Sequence, residues 1–326
     1  IAANVNGQTL TIDTGNTVIN KGTLTAANGG TVDIEGSVTN LGTITAGGGS
    51  AVDLAGVNNS AGTINDSGDN SSVHVVGTAT LNGGTLNIGA ATGTSYLWND
   101  DPANGGATLT LGASLTIDQT GTAAIYSTNA TTAIHDSVVS FATINTAAYG
   151  FNIQPDFFTN HGVINADASG GTIEITPTGS FTNYGTVAVS GGENATIENG
   201  IVSGTQPEDV TNKAGGIISV AAGSSITITA GSFTNDGTLE ATNGGTLIVD
   251  CAVKGSGTDT IGADATMEFQ SGVSADQTVT FTAGTGDLDL THASTFHGEI
   301  VGFTGTEPNI HHSDVIDLAG FHLHSD

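Results

Sequence analysis

The chain has 326 residues, with 31 Asp and Glu against 3 Lys and no Arg, for a formal charge of −28. Without cations to neutralise phosphates it is excluded from the nucleic-acid binders, and no apolar run approaches the ~18 residues of a membrane-spanning helix. Glycine, at 49 residues, is about twice as frequent as the usual ~7%, but only 5 prolines are present, which excludes collagen and proline-rich linkers. Hydrophobic residues make up 37% of the chain, enough for a core and against disorder. The single Cys251 excludes an internal disulfide framework and a Cys-based zinc site. Ile1 opens inside a strand-like pattern, as in a processed chain or a fragment whose export signal or anchor lies elsewhere.

Internal self-similarity is the strongest signal. Val18-Ile19-Asn20-Lys21-Gly22-Thr23-Leu24-Thr25-Ala26 is followed by Asn28-Gly29-Gly30 and Thr31-Val32-Asp33-Ile34. Val38-Thr39-Asn40-Leu41-Gly42-Thr43-Ile44-Thr45-Ala46 is followed in the same way by Gly47-Gly48-Gly49 and Ala51-Val52-Asp53-Leu54. A third unit runs from Val57, and four more are centred on Asn160, Asn183, Asn212 and Asn235. Within each unit apolar and polar residues alternate, which is strand periodicity. Glycine pairs and Asn-x-Gly are read as turns that need positive φ.

A unit of ~20 residues cannot bury its apolar side alone, so units must stack one strand spacing apart. The predicted fold is all-β: a parallel β-helix (β-solenoid), right-handed because unbroken hexapeptide triplets are missing. At ~22 residues per coil the chain makes about 15 coils, a rod on the order of 70 Å long. Residues 1–91 and 158–250 read as regular coils, 92–157 as irregular coils with loop insertions, and 251–326 as C-terminal coils of a variant repeat. Val18, Val38, Val57, Phe158, Phe181, Val210 and Phe233 are expected to form an interior stack, and the repeat asparagines an amide ladder.

The stretch 92–157 holds Trp98, the only tryptophan, with Tyr96, Tyr126, Tyr149 and the acids Asp100 and Asp101. Irregular insertions on a solenoid carry recognition, and aromatic rings beside carboxylates suit contact with a glycan or a protein. The alternative is that these aromatics pack the insertion onto the coils.

Beyond Cys251 the Asn-x-Gly marker disappears, while Gly286-Asp287-Leu288-Asp289-Leu290 and Ser313-Asp314-Val315-Ile316-Asp317-Leu318 alternate as strands. These segments resemble the Asp-x-x-Asp-Leu endings of large bacterial type I-secreted adhesins. The whole chain resembles the β-strand repeats of such surface proteins and of filamentous-haemagglutinin-like passengers. The resemblance implies a secreted or cell-surface location, with calcium as the family's ion. The calcium-binding Gly-Gly-x-Gly-x-Asp pattern is itself not matched, because Gly284-Thr285-Gly286-Asp287 brings its Asp one position early.

Two metal readings follow from the residues. Asp33 and Asp53 occupy the same outward position on adjacent coils, where a shared Ca²⁺ or side chains splayed into solvent would relieve their repulsion. His322 and His324 share one face of a strand and could chelate Zn, Ni or Cu with His311, His312 or Asp314. The plainer reading of these histidines is scattered surface residues on an end strand.

No Gly-x-Ser-x-Gly, Gly-x-x-x-x-Gly-Lys or His-Glu-x-x-His motif occurs. A pectate-type lyase needs basic residues that Lys21, Lys213 and Lys254 alone do not supply. The expected function is therefore non-enzymatic: a stiff extracellular segment of an adhesin or filament, self-associating end to end or joined to neighbouring repeats and contacting surface glycans or proteins. The alternative is a polysaccharide-degrading glycosidase on the same scaffold.

Overall fold

The computed structural model describes residues 1–127, 135–147, 149–199, 209–304 and 313–319. It is all-β, 54% strand and 1% helix, with parallel sheets stacked as a β-solenoid of about 13 turns. Among the described residues the helix is one 3₁₀ turn at Ala293–Thr295. The turn number falls short of 15 because some coils take more than ~22 residues per circuit, as the steps from Leu86 to Ile117 and from Ile117 to Ile144 show.

The coils stack their strands into three parallel ladders, two of 14 strands and a third of 11 to which the last coils add no strand. The chain divides into two compact units, one of 1–165 with 171–178 and one of 166–170 with 179–326. In the first unit, Leu24, Ile44, Ile64, Leu86, Ile117 and Ile144 pair in register down the first ladder, and all are buried. Val32, Val52, Val73, Leu97, Ile125 and Ile153 do the same down the second. In the second unit Val187, Ile218 and Leu239 continue the theme, as do Ala195, Ile226, Leu247, Met267 and Leu288. Alternation at period two gives every strand one apolar edge, and stacking removes that edge from water at about 25 cal/mol per Å² of apolar surface.

The third ladder carries the amide ladder. Asn20 donates to Asn40 at 2.7 Å and Asn40 to Asn59 at 2.6 Å, all three buried. In the second unit Asn183 donates to Asn212 and Asn212 to Asn235, both at 2.9 Å. These buried amides satisfy one another along the stack.

The expected single apolar column through this ladder needs correction. Val18, Val38 and Val57 are in register, but Val57 leads through Leu81 and Leu111 to Ser140 and then Asn160. Phe158 instead follows Ala79, Leu109 and Val138. The pairing has slipped by two residues, which keeps the same face inward because side chains alternate with period two.

The glycine reading is corrected as well. The Asn28-Gly29 and Gly49 turns do have positive φ, at 53°, 76° and 65°. Gly42, Gly62, Gly162 and Gly237 of the Asn-x-Gly type do not. A Cβ on Gly42 would overlap the Gly22 carbonyl of the coil before it, and one on Gly162 the Ala142 carbonyl. Here glycine serves close approach between coils.

Candidate binding face

The strands of the second ladder alternate, so each presents two or three side chains outward. One outward column of the first unit reads Asp33, Asp53, His74, Trp98, Tyr126, Gln154. Its neighbour reads Ala51, Ser72, Tyr96, Ala124, Asn152, Glu174. The aromatics predicted to project on insertions instead sit on regular strands, Ser95–Asp100 and Ala123–Ser127. Residues 92–157 supply strands to all three ladders, with extra chain in connections such as that following Asp101.

The register brings three of the predicted residues together. Ring centroids of Trp98 and Tyr126 lie 5.2 Å apart, those of Tyr96 and Tyr126 5.8 Å with the rings stacked at 27°, and those of Tyr96 and Trp98 5.9 Å. All three side chains are half-buried. Such pairs prefer offset or tilted geometry at 4.5–7 Å and add roughly 0.5–1.5 kcal/mol beyond their burial.

Below Tyr96 the column drops to Ala124. The missing side-chain volume leaves a groove of about 220 Å³, walled by Tyr96, Tyr126 and Glu174 and floored by Ala124, Gly150 and Asn152. Burial, with Tyr96 and Glu174 nearby, holds the Tyr126 phenol above its usual range. Thr94, Thr122 and Thr172 complete the rim.

His74 joins the face from the coil before Trp98. Its Nδ1 lies 3.4 Å from Asp100 Oδ2 and 3.8 Å from Asp53 Oδ1, and its Nε2 is 2.9 Å from Ser72 Oγ. Asp33 and Asp53 are paired in register as expected. Burial raises the Asp53 carboxyl, His74 opposes this, and Asp33 and Asp100 add to the rise. An imidazole between carboxylates is a relief that the Ca²⁺-or-splaying alternatives did not contain.

The other predicted residues are placed elsewhere. Asp101 is buried and accepts the Gly106 amide at 2.8 Å, shaping a turn. Tyr149 is 45% exposed just before the strand Gly150–Gln154 and is not among the groove's lining residues. Asp314 is buried, accepting the Gly286 amide at 2.9 Å and both the amide and hydroxyl of Thr304 at 2.8 Å. His311, His312, His322 and His324 lie outside the described residues. Among the described residues no group of three or more His, Cys, Asp or Glu is arranged to hold a metal ion.

Sequence reasoning missed Ala124, Asn152 and Glu174, which become neighbours of the tyrosines only through register. It also missed two acids in the core. Asp66, hydrogen-bonded to Ser71, and Asp259, bonded to Asn235, are both pushed by burial to about 7. Both stand at inward positions of strands that were legible, so the alternation alone could have flagged them. A comparison of the chain with protein-family models, curated proteins and solved structures gives no match.

Proposed function

We propose that the chain is a non-enzymatic structural and adhesive β-solenoid, a stiff segment of a secreted or cell-surface protein of the bacterial adhesin kind. The observation that supports this best is the register itself. Coil after coil repeats the same inward positions and fills most of them with packed apolar side chains and paired amides, Asp66 and Asp259 being exceptions, while most of the chemical variety lies on the outward columns. A charge of −28 keeps such a chain soluble. Calcium belongs to this reading as a counter-ion for the outward acids, Asp33 and Asp53 first among them.

End-to-end association is the second part of the proposal. The strands of the first coil each have a neighbour on one side only, and Ile1, Val5 and Ile19 there are 71%, 59% and 60% exposed. Unpaired strand edges beside apolar side chains favour addition of further strands, either from more coils of the same protein or from another chain. Sedimentation over a wide concentration range tests it: a monomer throughout would remove the self-association.

One observation favours the enzymatic alternative. Glu268, Asp289 and Asp317 are in register on adjacent coils, and burial together with Asp287, Asp317 and Glu268 pushes Asp289 up to about 6. A strand spacing of ~4.8 Å is close to the ~5–5.5 Å carboxyl separation of retaining glycosidases. A panel of neutral and acidic polysaccharides decides between the readings. No product release is expected, and release abolished by Asp289→Asn would overturn the structural reading.

A further inference from the structure

The groove beside Tyr96 and Tyr126 is not required by the packing of the coil. The inward neighbours Leu97, Ile125 and Ile153 are buried in an unbroken column whether or not the outward Ala124 is small. The groove combines two aromatic rings, three threonines, the Asn152 amide and the exposed carboxylate of Glu174. The rings offer apolar faces and edges to a ligand body, and the threonines and Asn152 offer hydrogen bonds to a hydroxylated one. Glu174 is the one charged residue among those lining the groove and sets the sign of its charge. The chain's three lysines, Lys21, Lys213 and Lys254, are not among the lining residues.

An anionic glycan would meet the Glu174 carboxylate without a compensating cation, so a uronate or a sulfated sugar is disfavoured on charge. A cation over tyrosine or tryptophan gains roughly 0.5–1 kcal/mol at an exposed site, and a carboxylate beside it adds a charge-assisted hydrogen bond. A quaternary ammonium would need a cage of rings set on several sides. Here the two wall rings are stacked at 27° on one side of an open groove. A hydroxyl-bearing ring with an apolar C–H face and an ammonium substituent fits the groups present.

We propose that this groove binds a cationic amino sugar, one residue of a glycan that carries free amino groups. The proposal deepens the adhesive reading given above and rests on it. In the bound state the ammonium faces Glu174, the sugar ring lies against Tyr96 and Tyr126, and its hydroxyls reach Thr122, Thr172 and Asn152. Trp98, the only tryptophan and in ring contact with both tyrosines, reports occupancy.

The test titrates the full chain with a glucosamine tetramer, its fully N-acetylated counterpart and a uronate tetramer, by calorimetry and by Trp98 emission. The glucosamine tetramer is expected to bind and shift the emission, the acetylated tetramer to bind at least about tenfold more weakly, and the uronate not to bind. Glu174→Gln and Tyr126→Ala are each expected to weaken binding by about tenfold or more, roughly 1.4 kcal/mol. Asp13→Asn, an exposed acid on the first coil, should leave it unchanged. Equal binding of all three sugars, no binding of the glucosamine tetramer, or equal losses in Asp13→Asn and Glu174→Gln would each overturn the proposal. Glu174 is exposed, so its variant stays informative should Tyr126→Ala misfold. Failure here leaves the structural reading to its own tests, because polysaccharide cleavage and sedimentation are read separately.

Discussion

Asn235 donates a 2.9 Å hydrogen bond to Asp259, and at that step the buried amide ladder passes from asparagine to a carboxylic acid. Asp259 is flanked in register by Leu239 and Val279, so it occupies a position that aliphatic side chains hold on either side. Its Oδ2 is buried without a hydrogen-bond partner. Burial dominates and pushes the carboxyl to about 7, with Asn235 opposing.

Stability should therefore fall with rising pH. The folded chain keeps this proton up to about pH 7, whereas the unfolded chain releases it near 3.8. The contribution is complete below about pH 4, is lost as pH rises towards 7, and is flat above. A shift of this size corresponds to about 4 kcal/mol, and Asp66, also near 7, acts in the same direction in the first unit. Melting temperature should be higher at pH 5 than at pH 8, and Asp259→Asn, neutral throughout, should flatten the dependence. Identical pH profiles for the variant and the parent would contradict the assignment.

Gly62 and Gly22 separate two uses of glycine. A Cβ on Gly62 would overlap the side chains of Asn40 and Asn59, whereas one on Gly22 meets nothing within 4 Å. Gly62→Ala should cost about 1–3 kcal/mol by overpacking, and Gly22→Ala less than about 0.5. Urea unfolding of the two variants provides the measurement; equal midpoints would refute the close-approach role.

Asn40→Ala removes the acceptor of Asn20 and the donor to Asn59 and to the Thr63 carbonyl. Leaving buried polar groups unpaired costs roughly 1–3 kcal/mol each, so a loss of about 3 kcal/mol is expected. Asn16, in an exposed turn, should tolerate alanine within about 0.5 kcal/mol. Comparable losses at the two sites would show that the ladder contributes little.

His74→Ala leaves Asp33, Asp53 and Asp100 on one face without the imidazole. A destabilisation of about 1 kcal/mol is expected for this partly buried cluster, shrinking in 1 M salt as screening shortens to ~3 Å and in millimolar Ca²⁺. A loss independent of both would assign the role of His74 to packing against Trp98.

Cys251 is buried, and its thiol is pushed to about 11, chiefly by that burial. Thiolate is the reactive form, so a disulfide-exchange reagent at pH 8 should modify it only as its coil opens. Rapid labelling of the folded chain would show that this segment opens far below the global unfolding transition.

The fold was legible because a two-residue period and repeated Asn-x-Gly spacings carry strand identity and inward face together. Val32, Ile34, Val52 and Leu54 could be placed inward from the sequence alone, and all four are buried. Register across a break in the repeat could not be read. Nothing near Val57 signals that Leu81 follows it, because a slip of two residues leaves the apolar pattern unchanged. The groove shares this origin: Tyr96, Ala124 and Glu174 have no sequence relation beyond landing on one column four coils deep. Asp66 and Asp259 were legible but overlooked: each stands two residues from an inward isoleucine, Ile64 and Ile261, yet an acid invites an outward reading.

The pairing of Thr31 with Ala51 makes a length argument possible. Excising residues 31–50 removes one strand from each ladder and joins Gly30 to Ala51. Val18 then faces Val57, Asn20 faces Asn59, and Leu10 faces Val52. The shortened protein has the same seams as the parent, whereas deleting any single residue within Thr31–Glu35 turns the remainder of that strand inside out. Growth and shrinkage of this part of the chain thus come in whole coils, and a gene lineage that obeys the structure would change its size in steps of one circuit.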